Sequence, residues 1–231
     1  MIRFGMIGGL GAFASVRLYE LINREAARQV KTEIEDSSFP DLTIRQIPFF
    51  STDRFGNVQE EKFYDELGKG LDSLVLSGVT HVSFACNTLN GLFEKAIADN
   101  GKLEYISTVS ETVKGLNSDV TQKDVPLAVL TSRNAVTLGI YREQSIFRPT
   151  IEPQQDLVDE LIYQSMRGKH NDAKIIFKSV ADLVYQEDPN AEILLGCTEL
   201  SVYNEFPFCN KKYDSLQFTA EKIVRIHNEN P

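Results

Sequence analysis

Val82-Ser83-Phe84-Ala85-Cys86-Asn87-Thr88 and Ile193-Leu194-Leu195-Gly196-Cys197-Thr198-Glu199 follow one pattern. Each is a short apolar run, a small residue, a cysteine, and then polar residues that open the next element. An apolar run this short, bounded by turn residues, fits a fully buried strand. The recurrence predicts two related half-chains, each with a cysteine at the carboxyl end of a strand. The boundary falls near Ser107, giving residues 1–107 with 214–231 as one domain and 108–213 as the other. In this division the C-terminal helix returns to the first half.

The rest of the chain alternates in the same way. Ile2 to Ile7 is a strand broken by Gly8-Gly9-Leu10-Gly11, and Ser15 to Val30 carries the periodicity of a helix. Leu42 to Ile47 and Val79 to Ala85 are further strands, with a helix from about Val58 to Ser77 between them. In the second half Leu127 to Leu130 and Glu192 to Leu195 are strands, and Leu138 to Gln144, Leu157 to Arg167, Ala173 to Tyr185 and Phe218 to Ile226 are helices. Alternating strands and helices predict the α/β class with parallel sheets covered on both faces. The repeat predicts two similar α/β domains, and if a pseudo-twofold axis relates them a cleft lies between the two cysteine turns.

Composition narrows the function. With 231 residues, 42% of them hydrophobic, the chain can bury a real core. A net charge of −9 argues against nucleic acid or an anionic membrane as the main partner. No apolar run approaches the roughly 18–20 residues of a membrane-spanning helix. The start, Met1-Ile2-Arg3-Phe4-Gly5, has no signal-peptide pattern, so a cytoplasmic location is expected. The three cysteines, Cys86, Cys197 and Cys209, are widely spaced and suit reduced thiols. The three histidines stand at no zinc-ligand spacing, so no metal is expected.

Ligands of open parallel sheets bind beyond the carboxyl ends of the strands. Cys86 and Cys197 both fall there, at or near an expected helix N-terminus. That setting favours an anion, either a thiolate of lowered pKa or a substrate carboxylate held by the amides around Asn87-Thr88 and Thr198-Glu199. One strand-end cysteine alone is commonly mere packing. Two in matching contexts would face each other across a cleft. Facing thiols suit racemisation, in which one removes the α-proton and the other returns a proton to the opposite face. Cys209 lies outside the pattern and is expected to be structural.

Gly8-Gly9-Leu10-Gly11, Cys86-Asn87-Thr88 and Gly196-Cys197-Thr198-Glu199-Leu200, in this order and spacing, resemble the motifs of the aspartate/glutamate racemase family. The resemblance spans nearly the whole chain, and the two cysteine motifs carry its specificity. It implies two α/β/α domains, a site between them, no cofactor, and a homodimer acting on a small acidic amino acid. It places Gly9, Asn87, Thr88, Thr198 and Glu199 around the substrate. Ser51-Thr52-Asp53-Arg54 resembles the segment whose arginine binds the distal carboxylate, which makes Arg54 the candidate for side-chain recognition. Gly168-Lys169 resembles a lysine-bearing segment near the site, and Ser132 stands where a donor to the α-carboxylate is expected. The plain alternatives are a solvated loop arginine, an exposed helix-end lysine and an ordinary turn serine. Glu199 either serves the thiol or the substrate ammonium, or simply complements a helix dipole.

The chain departs from the family pattern at Asn90, where a histidine is frequent, at Ala135, and in Gly11-Ala12-Phe13-Ala14-Ser15, which lacks an acid. It does not open with the Asp-Ser-Gly of the cell-wall glutamate racemases, and so looks more like the aspartate-racemase branch. Two other functions stay open: a maleate-isomerase-like enzyme on a diacid, and a non-catalytic amino-acid-binding protein on the same scaffold. Nucleotide binding is disfavoured, because no acidic residue for a ribose follows the second strand at Ile47-Pro48-Phe49.

Overall fold

The structure, a computed structural model, describes residues 2–31, 33–53, 57–118, 123–142, 146, 148–206 and 211–230. In the first half, β1 (Phe4–Gly8), β2 (Leu42–Gln46), β3 (His81–Phe84) and β4 (Glu104–Tyr105) form a parallel sheet in the order β2-β1-β3-β4. Its helices are α1 (Ala12–Gln29), α2 (Glu60–Leu76), α3 (Asn90–Asn100) and α4 (Thr108–Ser118). In the second half, β5 (Leu127–Leu130), β6 (Thr150–Ile151), β7 (Glu192–Leu195) and β8 (Lys212–Asp214) form a second parallel sheet. Its order, β6-β5-β7-β8, repeats the first. The helices here are α5 (Arg133–Thr137), α6 (Gln155–Met166), α7 (His170–Glu187) and α8 (Ser215–Glu229). The expected α/β class with two similar parallel-sheet halves is what the chain adopts.

Register brings the cysteine turns to equivalent levels. Ile7 pairs with Phe84 across β1 and β3, and Leu130 pairs with Leu195 across β5 and β7. Each cysteine lies two residues beyond the last paired residue of its central strand, beside the loop that leaves the neighbouring strand.

The last helix of each half packs against the other half. Val109, Val113 and Leu116 of α4 cluster with Leu127, Leu194 and Tyr213 of the second sheet. Leu216, Ala220, Ile223 and Val224 of α8 cluster with Phe4 and Met6 of the first sheet and with Leu18, Leu21 and Ile22 of α1. The two halves therefore exchange helices and share apolar burial, the main favourable term in folding. Space between α4 and α8 is tight: a Cβ built on Gly115 would lie 2.2 Å from the Phe218 ring.

The sequence reading misplaces one helix. The segment expected to be helical from Leu138 to Gln144 is instead a turn over 138–142, with 143–145 outside the described residues. The helix comes earlier, at Arg133–Thr137, because Ser132 caps it by accepting a hydrogen bond from the Ala135 amide. Gly139, at φ 64°, ends it, with the Gly139 amide donating to the Val136 carbonyl and the Ile140 amide to the Ala135 carbonyl. The short strands β4, β6 and β8 and the helix α4 were not foreseen. Two or three residues are too few to show a period.

Leu216→Ala tests the helix exchange. Leu216 is fully buried where α8 meets the first half. Its truncation should cost about 2–5 kcal/mol in urea unfolding. A loss below about 1 kcal/mol would mean that α8 contributes little to the core.

Candidate active site

The two cysteine turns are hydrogen-bonded to each other reciprocally. Asn87, which follows Cys86, donates from Nδ2 to the carbonyl of Gly196, which precedes Cys197, at 2.7 Å. Thr198, which follows Cys197, donates from Oγ1 to the carbonyl of Ala85, which precedes Cys86, at 2.9 Å. Both side chains are buried. In a region with little water, losing the Thr198 bond leaves the Ala85 carbonyl without its side-chain donor. The turns thus hold one another at fixed separation.

Glu199 sits against the Cys197 thiol. The Cys197 thiol donates from Sγ to Glu199 Oε2 at 3.4 Å, and Thr198 Oγ1 lies 3.1 Å from the same oxygen, its one proton shared between that oxygen and the Ala85 carbonyl. Burial pushes the Glu199 carboxyl up, with the bonds from Cys197 and Thr198 opposing. Burial, then the nearby Glu199 charge, pushes the Cys86 thiol up to about 12, while the amides of Leu89 and Thr88 pull it down. The same two causes raise Cys197 well above the ordinary thiol value, and Cys86 adds to the rise. The expectation of thiols activated by helix N-termini is therefore corrected for the ligand-free site. Cys86 is followed by a turn, with α3 starting only at Asn90, and Cys197 is followed by a 3-10 helix, Thr198–Tyr203. Neither gives a sulfur the full field of an α-helix, and desolvation wins.

The other candidates divide. Thr88 and Ser132 meet across the halves, with their hydroxyl oxygens 3.0 Å apart. A cleft of about 560 Å³ opens beside Ser132, lined also by Asn57, Arg133, Tyr163 and Met166. Gly9 adopts φ 111°, and a Cβ there would lie 1.9 Å from the Ile47 carbonyl oxygen, so close backbone approach demands glycine. Lys169 is exposed at the residue before α7. Its neighbours do approach the start of α1: a Cβ on Gly168 would lie 3.1 Å from the Phe13 ring, which meets the His170 ring edge-on at 5.5 Å. Arg54 and Cys209 lie outside the described residues.

Asn90, the departure from the family histidine, is buried in a polar network. Its Oδ1 accepts from the Tyr105 hydroxyl at 2.9 Å and from Ser107 Oγ at 2.8 Å, and its Nδ2 donates to Glu94 at 2.8 Å. The sequence reading missed Tyr105, and it also missed Tyr141, whose hydroxyl donates to the Gly196 carbonyl at 3.1 Å. An aromatic in an apolar period looks like core, so nothing local marked either one.

Cofactor chemistry can be weighed on the donors present. Among the described residues, no three His, Cys, Asp or Glu side chains are grouped to hold a metal ion. Gly11, the residue before α1, faces a carboxylate: a Cβ there would lie 1.9 Å from Glu199 Oε1. A dinucleotide pyrophosphate at this helix N-terminus would meet that acid instead of open amides. Among the described residues, no helix is long and apolar enough to cross a membrane.

Similarity to solved structures covers the whole arrangement. An aspartate racemase from Picrophilus torridus matches 98% of this chain and 94% of its own, at TM-score 0.76 and 20% identity. The chain has the aspartate/glutamate racemase fold. An aspartate racemase homologue from Pyrococcus horikoshii OT3 matches 99% of this chain and 100% of its own, at TM-score 0.75 and 17% identity. A glutamate racemase from Francisella tularensis subsp. tularensis SCHU S4, in complex with D-glutamate, matches 99% and 82%, at TM-score 0.62 and 13% identity. No family model matches the sequence, and no curated protein does. At these identities the likeness is one of fold.

The Glu199 charge makes a prediction about the thiols. Because it raises both of them, Glu199→Gln should lower the midpoint of Cys86 deprotonation from about 12, and that of Cys197 with it. The pH dependence of iodoacetamide labelling, resolved by mass spectrometry, reads both midpoints. Unchanged midpoints would show that Glu199 carries no charge in the resting site.

Proposed function

We propose that this chain is an isomerase that racemises an acidic amino acid, aspartate or glutamate, without pyridoxal phosphate, using Cys86 and Cys197 as its acid–base pair. The observation that carries this reading is the reciprocal tie between the two cysteine turns. It joins the two turns that carry the thiols, each at the end of an equivalent strand of its sheet. The fold shared with aspartate and glutamate racemases supports it.

The chemistry follows from two groups on opposite sides of one carbon. A thiolate on one side takes the α-proton, and the C–H electron pair stays on the substrate. Donors at the α-carboxylate stabilise that charge, for which Thr88 and Ser132 are the candidates. The opposite thiol gives its proton to the other face and becomes the thiolate. One proton has entered and one has left, and the product complex holds the pair with roles exchanged.

The raised thiol pKa values fit this scheme when substrate charge is included. In the ligand-free site the Glu199 carboxylate opposes a thiolate. A substrate ammonium beside Glu199 would cancel that repulsion and favour the thiolate. Deprotonation is then coupled to binding, with one thiol proton released to solvent as the substrate enters, and an unliganded thiol stays protonated and unreactive. We assign Glu199 to the ammonium, and Arg54 with Lys169 to the distal carboxylate.

Incubation in D₂O with each enantiomer of aspartate and glutamate is the direct test. α-Deuteration with formation of the mirror enantiomer is expected for at least one pair. Cys86→Ser and Cys197→Ser should each lower the rate by at least about 10²–10⁴-fold without unfolding the protein. Full activity in either variant would remove the two-thiol assignment. No exchange with any of the four amino acids would reject the racemase, and turnover of maleate or bare ligand binding would then separate the isomerase from a binding protein. Arg54→Ala should raise KM for the dicarboxylic substrate about ten-fold, the worth of a charged hydrogen bond. An unchanged KM would take Arg54 out of substrate recognition.

A further inference from the structure

The Gly196 carbonyl, one residue before Cys197, is held from several sides. Asn87 Nδ2 donates to it at 2.7 Å, the Tyr141 hydroxyl at 3.1 Å and Thr131 Oγ1 at 3.4 Å. From the same strand end, the amides of Gly196 and Cys197 both donate to the Leu130 carbonyl at 2.9 Å. The Ala85 carbonyl, its counterpart before Cys86, accepts from Thr198 at 2.9 Å. The two thiols therefore hang from turns of similar path but different restraint.

Tyr141 and Thr131 have no role in the scheme above, and Tyr141 makes the shorter bond. It is 5% exposed, at the end of the turn that follows α5. Its hydroxyl works in both directions, accepting from Asn87 Nδ2 at 2.8 Å and donating to Gly196. Its ring also backs the turn: a Cβ built on Gly196 would lie 3.0 Å from Tyr141 Cε2. Burial, then the nearby Cys197 sulfur, raises the phenol above its ordinary value, which favours the protonated, donating form.

We infer that Tyr141 is a positioning residue for Cys197, fixing the sulfur through the Gly196 carbonyl that its hydroxyl and ring restrain. The kinetic part of this inference rests on the racemase reading, and the structural part does not. Asn87 keeps two partners, the Gly196 carbonyl and Ser215 Oγ at 3.1 Å, when the phenol is removed. The turn bearing Cys86 should therefore stay in place while the turn bearing Cys197 loosens.

Tyr141→Phe, which keeps the ring and removes the hydroxyl, is the test, with thermal unfolding confirming that the variant folds. Iodoacetamide labelling at one pH, resolved by mass spectrometry, should show Cys197 modification rising about three- to ten-fold relative to Cys86, the equivalent of one net hydrogen bond. A general loss of stability would expose both thiols alike, so an unchanged ratio overturns the inference. If Tyr141→Phe does not fold, Thr131→Val removes another donor from the same carbonyl, and a smaller shift in the same direction is expected.

In turnover, kcat should fall with little change in KM. The isotope effects on kcat/KM for the two α-deuterated enantiomers should diverge, rising for the one deprotonated by Cys197 and falling for the other. Isotope effects that move together would also overturn the inference. If the wild-type protein exchanges no α-proton, the racemase reading fails on its own, and the labelling ratio still decides the role of Tyr141.

Discussion

Two buried hydrogen bonds, Asn87 to the Gly196 carbonyl and Thr198 to the Ala85 carbonyl, set the geometry on which the candidate site depends. Each joins a side chain just after one cysteine to a carbonyl just before the other. Neither would be worth much on a surface, where water competes. At this junction water is excluded, so a polar group that loses its partners has no solvent to replace them. The exchange of α4 and α8 between the halves surrounds the same junction with apolar packing. Packed interiors resist small displacements, so the separation of the thiols is a property of the whole fold.

That rigidity has an electrostatic cost. Excluding water to fix the thiols raises their pKa values, and placing Glu199 beside them raises them further. A base that is neutral at rest is a poor base. The proposed resolution is that the missing positive charge arrives with the substrate. The carboxylate that opposes thiolate formation in the free site is then the group that recognises the ammonium. Such a site ties its reactivity to occupancy, and its thiols resist adventitious oxidation and alkylation while empty.

The repeat around Cys86 and Cys197 made the fold class legible, because the strand, small residue, cysteine and polar pair occur twice in one order. The same repeat pointed to both cysteines and to Asn87, Thr88, Thr198 and Glu199, which the structure gathers into one neighbourhood. What the sequence hid was tertiary. Asn87 contacts Gly196, Tyr141 and Ser215, each more than fifty positions away, and no local pattern encodes such partners. Tyr141 fell inside an apolar period and was assigned to a helix, whereas the cap at Ser132 and the left-handed Gly139 end that helix before it. Lowered thiol pKa values were expected from helix N-termini that the chain does not build at either sulfur. The strand-end position was right, but the short 3-10 helix after Cys197 and the turn after Cys86 supply less field than desolvation removes.

A duplicated scaffold offers two equivalent strand ends, and this chain has made them unequal. Two positions after Cys197 stands an acid bonded to the thiol itself, while two positions after Cys86 stands a threonine that reaches across to Ser132. One turn is buttressed by a tyrosine, and the other has Asn90, Tyr105 and Ser107 behind it. Racemisation tolerates such inequality. Enantiomers have equal free energy in water, so the equilibrium is fixed whatever the two thiols are like. Their environments govern only the two proton-transfer barriers and the populations of the two protonation states. An amino acid is itself asymmetric about its α-carbon, with an ammonium, a carboxylate and a side chain to place. Two-fold symmetry is therefore needed only along the line joining the sulfurs. Perpendicular to that line such a pocket must be polarised to hold the substrate one way round, and in the proposed scheme Glu199 and the Thr88–Ser132 pair are the groups assigned to that task.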